Sequence, residues 1–147
     1  MREEAARRGL PPEREHLIRI GNLLRAEGGP GVLASRLLPR LGTRDVVDSI
    51  RNPVEVEVLR SLPHFVLFGV HAGFENRFRR SFERARPGDP TTLEEFHRRE
   101  RQENTTDPVA QQLEATFALA DHFIGNDGGL EALRQAIDEQ LAALSVG

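Results

Sequence analysis

Residues 65–84, which read FVLFGVHAGFENRFRRSFER, contain the two elements that decide the fold. The apolar run at residues 65–70 lacks the alternation of a half-exposed strand, which is typical of a parallel strand buried on both faces. A helix from about Phe74 to Arg84 is predicted to follow it. This stretch therefore indicates a strand–helix unit of an α/β protein.

Two further strands are predicted on either side of this unit. Asp45 to Ser49 is a short β-branched run, and Asn52-Pro53 after it supplies a cap and a first-turn proline for a helix through Arg60. Residues 120–126 form the third candidate strand. Residues 127–129 then turn the chain into a last amphipathic helix, 130–144.

The remaining segments are predicted to be helical. Three helices come first, at about residues 3–8, 13–27 and 31–41, the second opened by Pro11-Pro12. A capping box starts a polar helix from residue 91 to about 103, and Asp107-Pro108 opens another to Leu119. We therefore expect α/β architecture, with a parallel sheet of three strands flanked by helices in three layers.

Composition limits the classes of protein that fit. The 147 residues suggest one domain, and the absence of cysteine excludes disulfide scaffolds and thiolate metal sites. All 20 basic residues are arginine, and the net charge is −3, so nucleic acid is not an expected partner. No apolar run has the length of a membrane span, and the charged N-terminus is unlike a signal peptide, so we expect no membrane partner and a cytoplasmic location.

The densest cluster of potential chemistry is a row of arginines on the predicted helix 74–84 and just beyond it. Arginines spaced three and four apart share a helix face and can grip phosphate oxygens. The alternative is a solvated helix with Glu75 and Glu83 as surface partners. The candidate residues are Arg77, Arg80, Arg84 and Arg86.

Two other candidate segments follow predicted strands. Asp48 and Arg51 come after the first strand, where open α/β sheets bind ligands, and could serve a magnesium-bound water and a phosphate. A simple helix-capping segment explains them equally well. Asn126 and Gly128 follow the last strand, where a strand-to-helix turn that uses glycine is the competing interpretation. The five histidines show no metal-ligand spacing, and the glycine-rich residues 28–31 follow a helix, unlike a phosphate loop.

Taken together, these segments resemble the P-loop nucleotide kinases, especially the group of dephospho-CoA kinase and the nucleoside-monophosphate kinases, along nearly the whole chain. Residues 45–60 resemble the segment that leads to the acceptor-phosphate arginine. Residues 65–89 resemble the helix and lid whose arginines close over ATP. Residues 120–133, ADHFIGNDGGLEAL, are the most specific match and are similar to the last strand and turn beside the adenine.

The resemblance implies a role for each candidate residue. Arg2, Asp48 and Arg51 would bind the acceptor nucleotide. The four arginines between 77 and 86 would neutralise charge during phosphoryl transfer, and Asn126 and Gly128 would border the adenine. The implied domain has acceptor-side helices at 1–43, a core at 44–84, a lid-like segment at 85–107 and a C-terminal core at 108–147. ATP and Mg²⁺ are the cofactors expected for an intact member of this family.

The family's catalytic loop, Gly-x-x-x-x-Gly-Lys-Ser/Thr, does not occur in a sequence without lysine. In the family, this loop precedes the segment that begins here at Met1, so the P-loop kinase-like sheet is expected to be incomplete at the N-terminus. A mis-assigned start codon and a truncated paralogue both explain that difference. Three hypotheses result: a nucleotide kinase that is inactive in this form, a non-catalytic nucleotide-binding or regulatory module, and an unrelated helical interaction protein.

Overall fold

A computed structural model describes residues 2–11, 13–107 and 110–144; the side chains of Arg2 and Arg14 are outside that description. Within these ranges the chain forms eight α-helices, one 3-10 turn and two strands. The elements are α1 (Arg2–Arg7), α2 (Arg14–Gly28), α3 (Val32–Leu37), the 3-10 turn (Leu38–Arg40), α4 (Pro53–Leu59), β1 (Phe68–His71), α5 (Phe74–Arg84), α6 (Leu93–Gln102), α7 (Leu113–Phe117), β2 (His122–Gly125) and α8 (Leu130–Leu144).

The two strands pair in parallel, which confirms the predicted strands at 65–70 and 120–126 and their parallel orientation. Phe68 is in register with His122, and His71 with Gly125. Helices α5, α6 and α7 make the crossover between the strands. A side chain at Gly69 would lie 2.8 Å from the ring of Phe117, so glycine is needed where α7 approaches the sheet.

The predicted strand from Asp45 to Ser49 is wrong. Residues 45–50 have no regular secondary structure, and Val46 is 95% exposed. A β-branched pair favours a strand only where neighbouring side chains bury it, and no described strand lies beside this segment. The described sheet therefore has two strands rather than three.

The helix predicted from Asp107 to Leu119 is shorter than expected. It begins only at Leu113, because Gln112 forms an isolated bridge with Asn104 and donates its backbone N–H to the carbonyl of Arg51 at 2.9 Å. The predicted opening at Pro108 is outside the described residues. The segment before α7 consequently lies against the start of α4, which matters for the site below.

The buried apolar side chains lie in the first three helices, in α4 and at the two strands. Ala5, Ile20 and Leu24 form one cluster among the first three helices. Val56 and Leu59 of α4 are almost fully buried, whereas Val70 and Phe123 on the two strands are half-exposed. Ile124 of β2 is buried, so the sheet is covered in part, and the three-layer arrangement stays a prediction.

Candidate functional site

The carboxyl ends of β1 and β2 meet beside the N-terminus of α5. The backbone N–H of Asn126 donates to the carbonyl of His71 at 2.7 Å. Asp127 accepts from the backbone N–H of Gly73 at 2.6 Å and from the side-chain amide of Asn76 at 2.9 Å. These bonds, that from Asn76 first, hold the pKa of Asp127 below its usual value. The loop after β2 is therefore fastened to α5.

The side chain of Arg80 also connects α5 to the loop after β2. Its guanidinium donates to the carbonyl of Asn126 at 2.5 Å and to that of Gly128 at 2.8 Å. The structure thus brings together three of the residues singled out from the sequence. In this arrangement the guanidinium of Arg80 contacts main-chain oxygens of the loop.

Arg77 is held by α6. It makes a bidentate pair with Glu100, with both N–O distances at 2.8 Å, and also donates to the carbonyl of Ala72. The hydrogen bonds to Glu100 raise the pKa of Arg77. Its guanidinium also lies over the ring of Phe74.

The last two arginines of the row lie at the end of α5 and in the turn that follows it. Arg84 pairs with Asp89 at 3.0 Å across the turn after α5. Arg86 is exposed, and its guanidinium forms no hydrogen bond with any described residue. The four arginines are therefore not gathered at one point: Arg77 and Arg80 contact segments near the strand ends, whereas Arg84 ends α5 and Arg86 lies in the exposed turn after it.

Helices α5 and α6 are held together by aromatic side chains. The ring of Phe96 is 5.5 Å from that of Phe74 and 5.7 Å from that of Phe78, both edge-on. This contact fixes which face of α6 points toward α5. Phe74 also lines an open groove of about 330 Å³ with Leu93 and His97.

Arg51 belongs to a second cluster, between α4, the end of α6 and the segment before α7. Its Nη1 donates to Glu103 at 2.9 Å and to Gln111 at 3.0 Å. Burial lowers the pKa of Arg51, and the charge of Arg25 adds to this effect, while Glu55 and Asp48 oppose it. Asp48 itself is exposed.

A buried ion pair between Arg25 and Glu55 lies next to the backbone of Arg51. Arg25 of α2, only 4% exposed, donates through Nε at 3.0 Å and through Nη2 at 2.7 Å to one oxygen of Glu55. The other oxygen of Glu55 accepts the backbone N–H of Arg51 at 3.0 Å. The sequence analysis missed this pair. Two features of the sequence indicate it. Arg25 lies four residues after Gly21 on the buried side of α2, and Glu55 stands between two valines of α4.

Asn52 fixes the start of α4, as its predicted capping role requires. Its side chain accepts the backbone N–H of Val54 at 3.0 Å and donates to the carbonyl of Ala110. The capping interpretation of residues 48–53 is therefore correct for Asn52. Arg2 lies in α1, but its side chain is outside the described part, so its predicted contact with an acceptor stays a prediction.

The described residues offer no obvious metal centre and no spanning helix. Across residues 2–11, 13–107 and 110–144, no three or more His, Asp or Glu side chains are arranged to hold a metal ion. In those same ranges, no helix combines the length and apolar character needed to cross a membrane.

Fold and site together define an α/β protein whose two parallel strands end beside arginines that are hydrogen-bonded within the protein. Comparison with known proteins gives the family. The chain is 38% identical over 149 residues to a UPF0200 protein of Hyperthermus butylicus, covering 99% of this chain and 77% of that protein. It is 32% identical to a UPF0200 protein of Pyrococcus furiosus, covering 100% of this chain and 81% of the relative.

A third relative, a UPF0200 protein of Halobacterium salinarum, is 36% identical over 97% of this chain and 76% of its own length. A scan of protein-family models finds no match. On the strength of these relatives, the chain belongs to the UPF0200 family.

Proposed function

We propose that this protein is nucleotide kinase-like and that its chain binds a nucleotide phosphate. The proposal includes a P-loop kinase-like fold, in which intact members catalyse ATP-dependent phosphoryl transfer, with Mg²⁺, to an acceptor such as dephospho-CoA or a nucleoside monophosphate. One observation carries it: two parallel strands end beside a crossover helix, and Arg80 of that helix contacts the loop after the second strand. Open α/β sheets bind ligands at this edge.

Arg51 is the residue we assign to the acceptor phosphate. Its backbone is fixed at both ends, because its N–H donates to Glu55 and its carbonyl accepts from Gln112. Its side chain remains 30% exposed. A guanidinium whose backbone is fixed and whose side chain is partly exposed suits a phosphate, which an arginine can bind through two parallel N–H groups.

Phosphoryl transfer by the chain alone is not part of the proposal. In P-loop enzymes a lysine of the catalytic loop cradles the β- and γ-phosphates, and this sequence has no lysine. We therefore expect nucleotide binding without turnover from the 147-residue chain. The same observation favours the second candidate function, a non-catalytic nucleotide-binding or regulatory module.

Calorimetric titration with AMP, dephospho-CoA and ATP, beside an assay of ADP release, tests the proposal and separates the two candidates. The assay uses this chain and the longer Hyperthermus butylicus relative. Nucleotide binding by both and turnover by the relative support the kinase. Binding by both and turnover by neither supports the regulatory module. Turnover by this chain at an enzymatic rate, or the absence of nucleotide binding in both proteins, overturns the proposal.

A further inference from the structure

Carboxylates already pair with the arginines around Arg51 without any ligand. Arg25 pairs with Glu55 and Arg51 with Glu103, and the exposed Asp48 adds a further negative charge near Arg51. Glu55 is committed to Arg25, whose pair is 4% and 6% exposed. Glu103 is therefore the carboxylate that neutralises Arg51, and a phosphate arriving at Arg51 meets it as a like charge.

The contact between Arg51 and Glu103 is weaker than the fork-shaped pair that arginine forms with a carboxylate. One nitrogen, Nη1, is shared between Glu103 and Gln111. Nε and Nη2 form no hydrogen bond within the part of the chain that the structure describes. A phosphate can use two of these N–H groups at once, which is the stronger geometry.

Glu103 lies at the end of α6. It is the residue that directly follows the helix, and its backbone N–H donates to the carbonyl of Arg99 at 3.1 Å. One turn earlier, Glu100 of the same helix holds Arg77. Two arginines that the sequence assigns to phosphate are thus occupied by carboxylates from one end of α6.

We propose that Glu103 is an internal competitor of the phosphorylated ligand: it occupies Arg51 until a phosphate replaces it, and it thereby sets the affinity of the acceptor site. This inference rests on the proposed function, because it needs a phosphate at Arg51. The ligand class is a phosphomonoester such as a nucleoside monophosphate. Release of Glu103 removes one of the contacts that hold the end of α6, so ligand binding is coupled to that helix.

Glu103→Gln tests the competition, since it keeps the hydrogen-bonding oxygen and removes the charge. AMP is titrated by calorimetry into the full chain, with circular dichroism to verify folding. We expect AMP to bind about threefold to tenfold more tightly, the range given by losing one like charge at a partly exposed site. Glu94→Gln, with the same charge change at the other end of α6, is the control and is expected to leave the affinity unchanged.

A second variant and a second measurement guard against misfolding of the first. Glu103→Ala removes both charge and hydrogen bond and is expected to tighten AMP binding as well. In the unaltered protein, hydrogen exchange at the amide of Glu103 is expected to speed up when AMP is added. Unchanged or weakened AMP binding in both variants contradicts the competitor role, and so does unchanged exchange.

The two proposals fail in different ways. If AMP binds and Arg51→Ala abolishes that binding while the Glu103 variants have no effect, the acceptor site stands and the competition is wrong. If AMP binds neither the original chain nor any variant, both proposals are wrong.

Discussion

Two groups of arginine ion pairs in this protein differ in how deeply they are buried. Arg25 and Arg51, between α2, α4 and the end of α6, belong to a network that is buried or partly buried and reaches main-chain groups through Glu55. Arg77 and Arg84, on α5, make ion pairs that are about 40% exposed at the arginine. Burial decides how costly the loss of a partner is: the cost is high for the Arg25–Glu55 pair and low for the pairs on α5, while the partly exposed Arg51 lies between them.

The physical reason is the cost of leaving a charge unpaired. Inside the protein an arginine without its carboxylate keeps a large desolvation penalty, whereas at the surface water replaces the lost partner. Removing one partner of the Arg25–Glu55 pair should therefore cost much of the free energy of unfolding, whereas removing a partner of the α5 pairs should cost little. The following predictions test this contrast in order of decreasing effect.

Glu55→Gln should have the largest effect. It leaves Arg25 charged and buried, and we expect a loss of about 3–5 kcal/mol in the free energy of unfolding, measured with urea. Glu57→Gln, at an exposed position of the same helix, is the control and should change stability by less than about 0.5 kcal/mol. Equal losses from the two substitutions would show that Arg25 does not depend on Glu55.

Arg80→Ala should have an intermediate effect. It removes the two hydrogen bonds to the carbonyls of Asn126 and Gly128 that fasten the loop after β2 to α5. We expect a loss of about 2 kcal/mol, since bonds from a charged donor are worth more than neutral ones. Arg79→Ala, one residue away and exposed, should cost less than about 0.5 kcal/mol by the same urea titration. If Arg80→Ala cost as little as Arg79→Ala, Arg80 would not be holding the loop after β2 to α5.

Asp121 gives a prediction about acid stability. It accepts the backbone N–H of Leu67 at 2.8 Å and pairs with Arg60, and these contacts, the backbone bond first, lower its pKa. A lowered folded-state pKa contributes stability above the unfolded pKa of about 3.9 and loses it as the pH falls through the folded value. The stability difference between the original chain and Asp121→Asn should therefore shrink between about pH 6 and about pH 3. A difference that is constant over this range would contradict the assignment.

Arg84→Ala should have the smallest effect. Its pair with Asp89 is exposed at the arginine, and we expect a change of less than about 1 kcal/mol that disappears at about 1 M salt, where the Debye length is about 3 Å. The penalty of Glu55→Gln should persist in the same salt. A large, salt-resistant loss in Arg84→Ala would erase the contrast between the two groups.

The sequence was sufficient for the elements whose signals are local. The apolar runs ending near Val70 and Gly125 predicted the two strands and their parallel pairing, and Asn52-Pro53 predicted the start of α4. Each of these predictions rests on an apolar run or on helix capping, which the order of residues encodes directly.

The errors and omissions involve contacts between distant segments. Val46 and Val47 have strand propensity, but no strand lies beside them in the described part of the chain. Helix α7 starts late because the backbone N–H of Gln112 donates to the carbonyl of Arg51. The pairing of Arg25 with Glu55 joins residues 30 positions apart. Such contacts depend on how the helices pack, which propensity and spacing do not specify.

For the candidate site, the sequence identified Arg51, Arg80, Asn126 and Gly128 but not what each contacts. The last three do come together, and Arg80 is joined to backbone oxygens of the loop. Arg51 is held by a glutamate whose position, just after α6, carried no motif. Which arginine has a free edge for a ligand follows from these contacts alone.

The central claim is that Arg51 binds the phosphate of a nucleotide. Calorimetric titration of AMP into the original chain, Arg51→Ala and Arg19→Ala tests it most directly, Arg19 being an exposed arginine of α2. We expect saturable binding by the original chain and by Arg19→Ala, and affinity at least about tenfold lower in a folded Arg51→Ala, the loss of one charge-assisted contact. No saturable binding, or equal affinity in all three proteins, would contradict the claim.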